Sequence, residues 1–364
     1  MQFSSKCRET ADACRFCWMC RHICPIGNVT GLERNTARAR ALSLSIVMRG
    51  AAELANDIAD NVYECALCGA CLEDCATGWD PVIFAREARR EIILAGRTPA
   101  YIAPMLENLG ATGSIYGAEE ENAEFAAAAA KHAAKTDVLF YVGEDARHGA
   151  KKNAVKAIEL LEKAGVSFTV LADEPISGRS VYFLCGDVKE ARDAMEAAAK
   201  TYGEYKKVVF YDAGDAKTAM QEAKELGIEC AATLISWPAY IAELIDTKAL
   251  NVNKGTAKYT FQDPAALTRG IEDTTSARKV LSACGELCEM LLIGKATVLA
   301  GHKIMAEYMP ETIKGMAAKR WVDAKNMGGS LMVTADTAEY LALAATKPEG
   351  CELLTIEEAV LKCL

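Results

Sequence analysis

"CRFCWMCRHICP", Cys14–Pro25, and "CALCGACLEDCA", Cys65–Ala76, space their cysteines identically, as C-x2-C-x2-C-x3-C. Intervals of two or three residues let a tight loop wrap its thiolates around one small inorganic core. Three closely spaced thiolates hold three irons of a [4Fe–4S] cube, and the fourth in such a run often ligates the other cluster of a pair. The rhythm therefore predicts two cubes with exchanged ligands. Cys14, Cys17, Cys20 and Cys75 hold one; Cys65, Cys68, Cys71 and Cys24 hold the other. Ala76 stands where Pro is usual, which alters the turn and removes no ligand. The competing reading is a pair of zinc sites. Zinc commonly takes two C-x2-C pairs, and a run of four at this spacing suits one tetrahedral ion poorly.

The rest of the composition fits redox work. The chain has 364 residues, too many for one core, so two or three domains are expected. With 51% hydrophobic and 25% charged residues it reads as a soluble globular protein. A net charge of -9 argues against nucleic acid or an anionic membrane as the main partner. "MQFSSKC" has no basic-then-apolar leader pattern. The longest apolar stretch, "ELCEMLLIGKATVL", is broken by Glu286, Glu289 and Lys295, so no membrane span is expected. A cytoplasmic location follows, where fifteen cysteines imply metal or redox chemistry rather than a disulfide framework.

Outward from the motifs, the predicted fold is an α-helical dicluster ferredoxin domain followed by tandem α/β repeats with parallel sheets. Residues 1–105 are helical with cysteine-bearing loops. "PVIFAREARREIILAG" has Pro81 in its first turn and Gly96 past its end, as a helix should. Residues 106–135 read as a linker and an Ala-rich helix. Residues 136–235 and 236–364 each alternate short strands with helices, the βαβ pattern of a parallel sheet. "DVLFYV", "VSFTVL", "SVYFLCG", "KVVFYDAG", "AKYTFQDP", "ATVLAG" and "SLMVTAD" are the predicted strands. "AKKNAVKAIELLEKAG", "PETIKGMAAKRWVDAKNMGG" and "TAEYLALAA" are predicted helices, as is the stretch from about Val188.

Gly69 and Ala70 allow backbone N–H groups near the second cube, whereas Trp18, Met19 and His22 crowd the first and read as packing. Cys7 lies outside both motifs and reads as a free thiol. "GEDARHG", Gly143–Gly149, follows a strand and opens a helix, but it lacks the dinucleotide fingerprint and reads as a plain turn. His148 and His302 have no cysteine or carboxylate cluster near them in sequence. No nucleophile–base arrangement stands out, although that is not a local signal.

Paired motifs, an Arg- and Ala-rich bridging helix and tandem α/β repeats resemble a family of iron–sulfur proteins. Its members include the iron–sulfur subunit of glycolate oxidase, the C subunit of anaerobic glycerol-3-phosphate dehydrogenase and the D subunit of heterodisulfide reductase. In that family each later repeat carries a cysteine-rich CCG motif. Here "QDPAAL", Gln262–Leu267, resembles "HDPCHL", with Ala265 in the cysteine's place. "LAG", Leu299–Gly301, resembles "CCG", and "ADTA", Ala335–Ala338, resembles "CPxC". In the first repeat "ISGRS", Ile176–Ser180, and "DAGDA", from Asp212, fall at the corresponding places. The repeats are degenerate CCG domains on this reading, without ligands of their own.

The resemblance implies a non-catalytic electron-transfer subunit with two [4Fe–4S] clusters. Its partner would be an FAD-dependent 2-hydroxyacid or polyol-phosphate dehydrogenase, with or without an electron-transfer flavoprotein, in a hetero-oligomer. The alternative is a catalytic subunit like that of heterodisulfide reductase, which needs a further metal centre. Cys185 and Cys230 sit in apolar, strand-like surroundings and read as packing. Cys284 and Cys288, in "LSACGELCEM", read as an ordinary helix–turn–strand, and Cys351 and Cys363 show no partner.

Overall fold

The computed structural model describes residues 3–364. The chain is largely helical, with two small, wholly parallel sheets. The first holds β1 (Val138–Tyr141), β2 (Lys207–Phe210) and β3 (Thr233–Ser236), in that order. The second holds β4 (Lys258–Gln262), β5 (Glu286–Leu287), β6 (Leu331–Thr334) and β7 (Glu352–Thr355), in the order β5-β4-β6-β7. Leu139 pairs with Val208 and Val208 with Leu234; Phe261 pairs with Val333 and Val333 with Leu354. Such runs of apolar residues suit strands covered on both faces.

Two predicted strands are not strands. "SVYFLCG" lies in a helix, Arg179–Cys185, whose residues 180–185 are all buried. A fully buried run is apolar all round, so its β-branched and aromatic residues carry no periodicity to separate helix from strand. Cys185 therefore ends a helix and has no strand context. "ATVLAG" forms no ladder; it is a buried irregular segment held by side chains, with Gln262 Nε2 donating to Val298 O at 3.0 Å and Thr297 Oγ1 to Asp263 O at 3.0 Å. "VSFTVL" contributes a single parallel bridge, Leu139 with Thr169. β3 and β7 lie outside the predicted strands.

The helices follow their local signals. Asp80 caps Pro81–Leu94 by accepting from the N–H groups of Val82 and Ile83, and Gly96 follows at φ +64°. The stretch read as a linker includes most of a further helix, Ala103–Thr112, and ties down onto the first repeat: Ser114 Oγ donates to Glu144 Oε1 at 2.6 Å. The turn after β1 is closed by the protein itself. The N–H groups of Val142 and Gly143 both donate to the Glu174 carboxylate at 2.8 Å, so this internal anion occupies the place of a phosphate.

The cysteine-bearing segment packs directly on the sheet-bearing parts of the chain. Tyr63 Oη donates to Leu184 O at 2.9 Å, Arg89 Nη1 to Phe183 O at 2.6 Å, and Tyr308 Oη to Tyr63 O at 2.9 Å. One apolar core runs from Ile26, Leu44 and Phe84 through Phe183 to Met305 and Trp321. A second joins the sheets, with Phe140, Trp237, Phe261 and Leu354 among its members. Glu357 crosses that join, accepting from Tyr211 Oη at 2.8 Å and Trp237 Nε1 at 3.0 Å.

Candidate functional site

Each half of the cysteine pattern folds into a loop and a short helix. In the first, Met19–Ile23 carries Cys20, and Cys24 starts Pro25–Thr30 by accepting from Gly27 N–H. In the second, Ala70–Glu73 carries Cys71 and follows Gly69 at φ +74°. Phe16 and Leu67, each just before its motif's second cysteine, have φ of +52° and +51°. Left-handed backbone costs a non-glycine residue roughly 1–2 kcal/mol. Its recurrence at the same place in both motifs marks a loop shape that the surroundings enforce.

The loops interlock. Cys14, Cys17, Cys20 and Cys75 line one small cavity, together with Arg38 and Trp79. Cys65, Cys68, Cys71 and Cys24 line another, together with Arg40. The fourth cysteine of each motif thus faces the other motif's first three. No group of three or more His, Cys, Asp or Glu side chains converges as on a single metal ion among the described residues. The thiols of each quartet line a small cavity instead.

The donor chemistry suits iron–sulfur cubes. Neither cavity is lined by His, Asp or Glu, so cysteine is the ligating side chain at both. Backbone N–H groups point at sulfur: Phe16 to Cys14 at 3.3 Å, Gly27 to Cys24 at 3.5 Å, Trp79 to Cys75 at 3.3 Å. Such bonds stabilise sulfur-borne negative charge and tune potential. Burial pushes the Cys24 and Cys71 thiols upward, so without a cation both stay protonated. Burial also works to raise Cys75, but bonds from the Thr77 hydroxyl and nearby backbone N–H groups outweigh it and the thiol is lowered.

Arg40 carries no sequence signal of its own. It is buried, with Nε on Asn61 O at 2.9 Å and Nη2 on Glu64 O at 2.7 Å. Burial opposes its charge, yet negative charge on Cys65, Cys24 and Cys71 in the thiolate form, together with Glu64, holds its pKa above the ordinary value. It has no carboxylate ion-pair partner among the described residues, so its charge serves the sulfur. Around the first quartet the surface is open, and Arg21 and Arg38 there both pair with Glu33. Cys17 and Trp18 are exposed, and the Arg21 and Arg38 guanidinium groups stack on the Trp18 ring at 4.8 and 4.6 Å. Residues 1–50 carry eight Lys and Arg against three Asp and Glu, a net +5 on a chain of net -9. That asymmetry is a sequence signal which the whole-chain charge conceals.

The remaining cysteines stand apart. Cys7 is fully buried in Ser5–Ala13 beside Glu87, and burial raises its thiol. Cys284 ends a helix against Cys363, while Cys288 Sγ donates to Met327 O at 3.2 Å. His148 meets Tyr116 at a tilt, ring centroids 5.3 Å apart.

A third cavity, of about 230 Å³, lies where the second motif's loop meets both repeats. Leu67, Cys68 and Gly69 form one wall. The others include Arg179, Gly214, Ala265, Leu299, Gly301, Asp336 and Ala338. All five segments that resemble degenerate CCG and CPxC positions thus meet at one place, together with His302.

With this geometry in hand, the comparisons with known proteins are specific at the amino end. Residues 10–79 match the family model described as "4Fe-4S dicluster domain". The chain carries a 4Fe–4S dicluster domain. Among curated relatives, the D subunit of a dihydromethanophenazine:CoB--CoM heterodisulfide reductase from Methanosarcina mazei is 24% identical over 297 residues, covering 74% of this chain and 72% of the relative. A probable membrane-anchored ferredoxin from Chromohalobacter salexigens is 26% identical over 246 residues, covering 64% of this chain and 37% of that longer protein. An aspartate racemase homologue from Pyrococcus horikoshii OT3 covers 62% of this chain and is itself covered to 96%, at 11% identity and a TM-score of 0.28, too slight a likeness to bear on the fold. The dicluster-domain match places iron–sulfur chemistry at the amino end of the chain. No helix among the described residues is long and apolar enough to cross a membrane.

Proposed function

We propose that the chain relays single electrons through two [4Fe–4S] clusters between a partner flavoprotein dehydrogenase and an external acceptor. Cys14, Cys17, Cys20 and Cys75 would hold the outer cluster; Cys65, Cys68, Cys71 and Cys24 would hold the inner one. The observation that supports this most is the pair of four-cysteine cavities with the fourth cysteines exchanged. Bound clusters would supply one-electron redox steps. The protein's part is to set their neighbourhood: N–H groups on sulfur, Arg40 beside the inner quartet, and an open basic face at the outer one. The exposed edge at Cys17 and Trp18 is the docking side for a redox partner on this reading. A 2-hydroxyacid or polyol-phosphate dehydrogenase is the partner class we favour, from the family resemblance. The domain limits 1–105, 106–135, 136–235 and 236–364, the degenerate-CCG assignment and a cytoplasmic location belong to the same proposal.

Iron and sulfide analysis of anaerobically purified protein tests the count. About eight irons per chain is expected. About twelve would favour the heterodisulfide-reductase-like alternative with a further metal centre. Zinc without iron would overturn the relay.

A further inference from the structure

The cavity between the three units has no thiols at the five repeat segments, but its walls are far from inert. Arg269 is a cation without a carboxylate partner among the described residues. Its Nε donates to Cys68 O at 2.7 Å and its Nη1 to Lys295 O and Thr297 O at 2.8 Å each, all neutral carbonyls. Its Nη2 is buried without a hydrogen-bond partner. Arg86, Arg179 and Lys217 differ in this respect, being paired with Glu222, with Asp145 and Asp212, and with Glu222.

His302 adds a directed donor. Its Nδ1 accepts from Met305 N–H at 3.3 Å, so the proton of the neutral ring sits on Nε2, which no protein group meets among the described residues. Burial and then the Arg179 charge press its pKa down to about 3, which keeps the ring neutral. Asp336 and Glu339 add two acid groups: one Asp336 oxygen takes Glu339 N–H at 2.8 Å, and both Glu339 carboxyl oxygens are buried without a hydrogen-bond partner among the described residues. Burial raises both, Asp336 to about 7, so at neutral pH each can offer an O–H as well as an acceptor oxygen. A volume of about 230 Å³ is an order of magnitude beyond the 10–15 Å³ or so that one water needs. Exposed Lys6, Leu72, Glu73 and Glu225 at its edge leave a way in.

We propose that this cavity binds a small organic carboxylate that also carries a hydroxyl or amino group. Arg269, with no ion pair of its own among the described residues, supplies the charge for the carboxylate, His302 Nε2–H a second donor, and Asp336 and Glu339 the partners for the ligand's own N–H or O–H. A buried cation and unmet polar groups together select such a molecule over an apolar one. The five repeat segments present guanidinium, carboxyl and apolar groups in place of thiols, which suits an organic occupant better than a third iron–sulfur cluster. Its place against the Cys68 carbonyl gives it redox relevance only if the inner cluster is present, so that part rests on the relay proposed above.

The test uses anaerobically purified, iron-loaded protein with L-malate or L-serine at about 10 mM, followed by thermal unfolding. At least one probe should raise the midpoint by a few degrees. Arg269→Gln should abolish the rise. Ala266→Leu fills the cavity while leaving every hydrogen bond of Arg269 in place, and should abolish it too. No rise with either probe, or the same rise in Ala266→Leu, overturns the proposal. Iron content is measured on the same samples: eight irons with no rise removes this inference alone, whereas a rise without iron leaves it standing and removes the relay.

Discussion

Arg40 should set the potential of the inner cluster. A reduced cube gains one negative charge, and a fixed positive charge beside it favours that state. At a separation of about 6 Å and an effective dielectric constant of about 20, one unit charge contributes about 2.8 kcal/mol. For one electron that is about 120 mV, since tenfold in equilibrium corresponds to about 59 mV. Spreading the electron over a cube reduces the figure, so Arg40→Gln should lower the midpoint by about 50–120 mV. The substitution also weakens the bonds to the Asn61 and Glu64 carbonyls, at a cost of about 1–3 kcal/mol for each buried acceptor left unmet. Arg40→Lys is therefore the control, because it keeps the charge with fewer donors. The assay is a redox titration followed by EPR, with the outer cluster as internal reference. A shift below about 20 mV in Arg40→Gln would refute the electrostatic argument, given the spread expected above. So would an equal fall in Arg40→Lys, since charge would then not be the cause.

Three further outcomes are expected. Cys65→Ser should halve the iron content, leave the outer cluster's EPR signal and stop electron flow to an external acceptor; undiminished flow would sink the relay. Electron transfer to an acidic redox protein should slow as ionic strength rises from about 50 to 500 mM, because the outer face is basic and screening shortens its reach to a few Å; Arg15→Glu with Arg21→Glu should flatten that dependence. Burial between the sheets raises Glu357 from 4.5 to about 7 despite its Tyr211 and Trp237 partners. The folded state then binds the extra proton between about pH 4.5 and 7, so its contribution is full below the unfolded pKa and lost as pH rises, a loss of about 3 kcal/mol by pH 8. Glu357→Gln should remove about one proton's worth of that slope in urea unfolding followed against pH, and an unchanged slope would show that the carboxyl ionises freely in the fold.

How far the sequence could be read depends on how local each signal is. The gathering of eight cysteines into two cavities was legible because their spacing is a property of a dozen consecutive residues. Pro81–Leu94 was legible because its first-turn Pro and its trailing Gly lie within one short stretch. Arg179–Cys185 was not, because burial on every side erases the period on which the distinction from a strand depends. "ATVLAG" misled for a related reason: it is apolar because it is buried, and its carbonyls are met by Gln262 and Arg269 instead of a neighbouring strand.

The third cavity lies at the far end of this scale. Each of the five segments that resemble cysteine motifs is distinguished in sequence only by the cysteine it lacks. Folding brings Arg179, Gly214, Ala265, Gly301 and Asp336 to one place, against a loop that begins more than a hundred residues earlier. A parallel sheet delivers its strand ends to one side, where clefts form between units. Substituting alanine, glycine and leucine for ligands would by itself leave an apolar hollow that closes or stays dry. Arg269 and His302 argue against that outcome, because an unpaired guanidinium and an unmet N–H are costly to bury beside one. Their presence at the walls is better explained by an occupant than by packing, and the cavity-filling Ala266→Leu variant separates the two: if packing alone governs the site, added volume should stabilise the protein and leave the probe response unchanged.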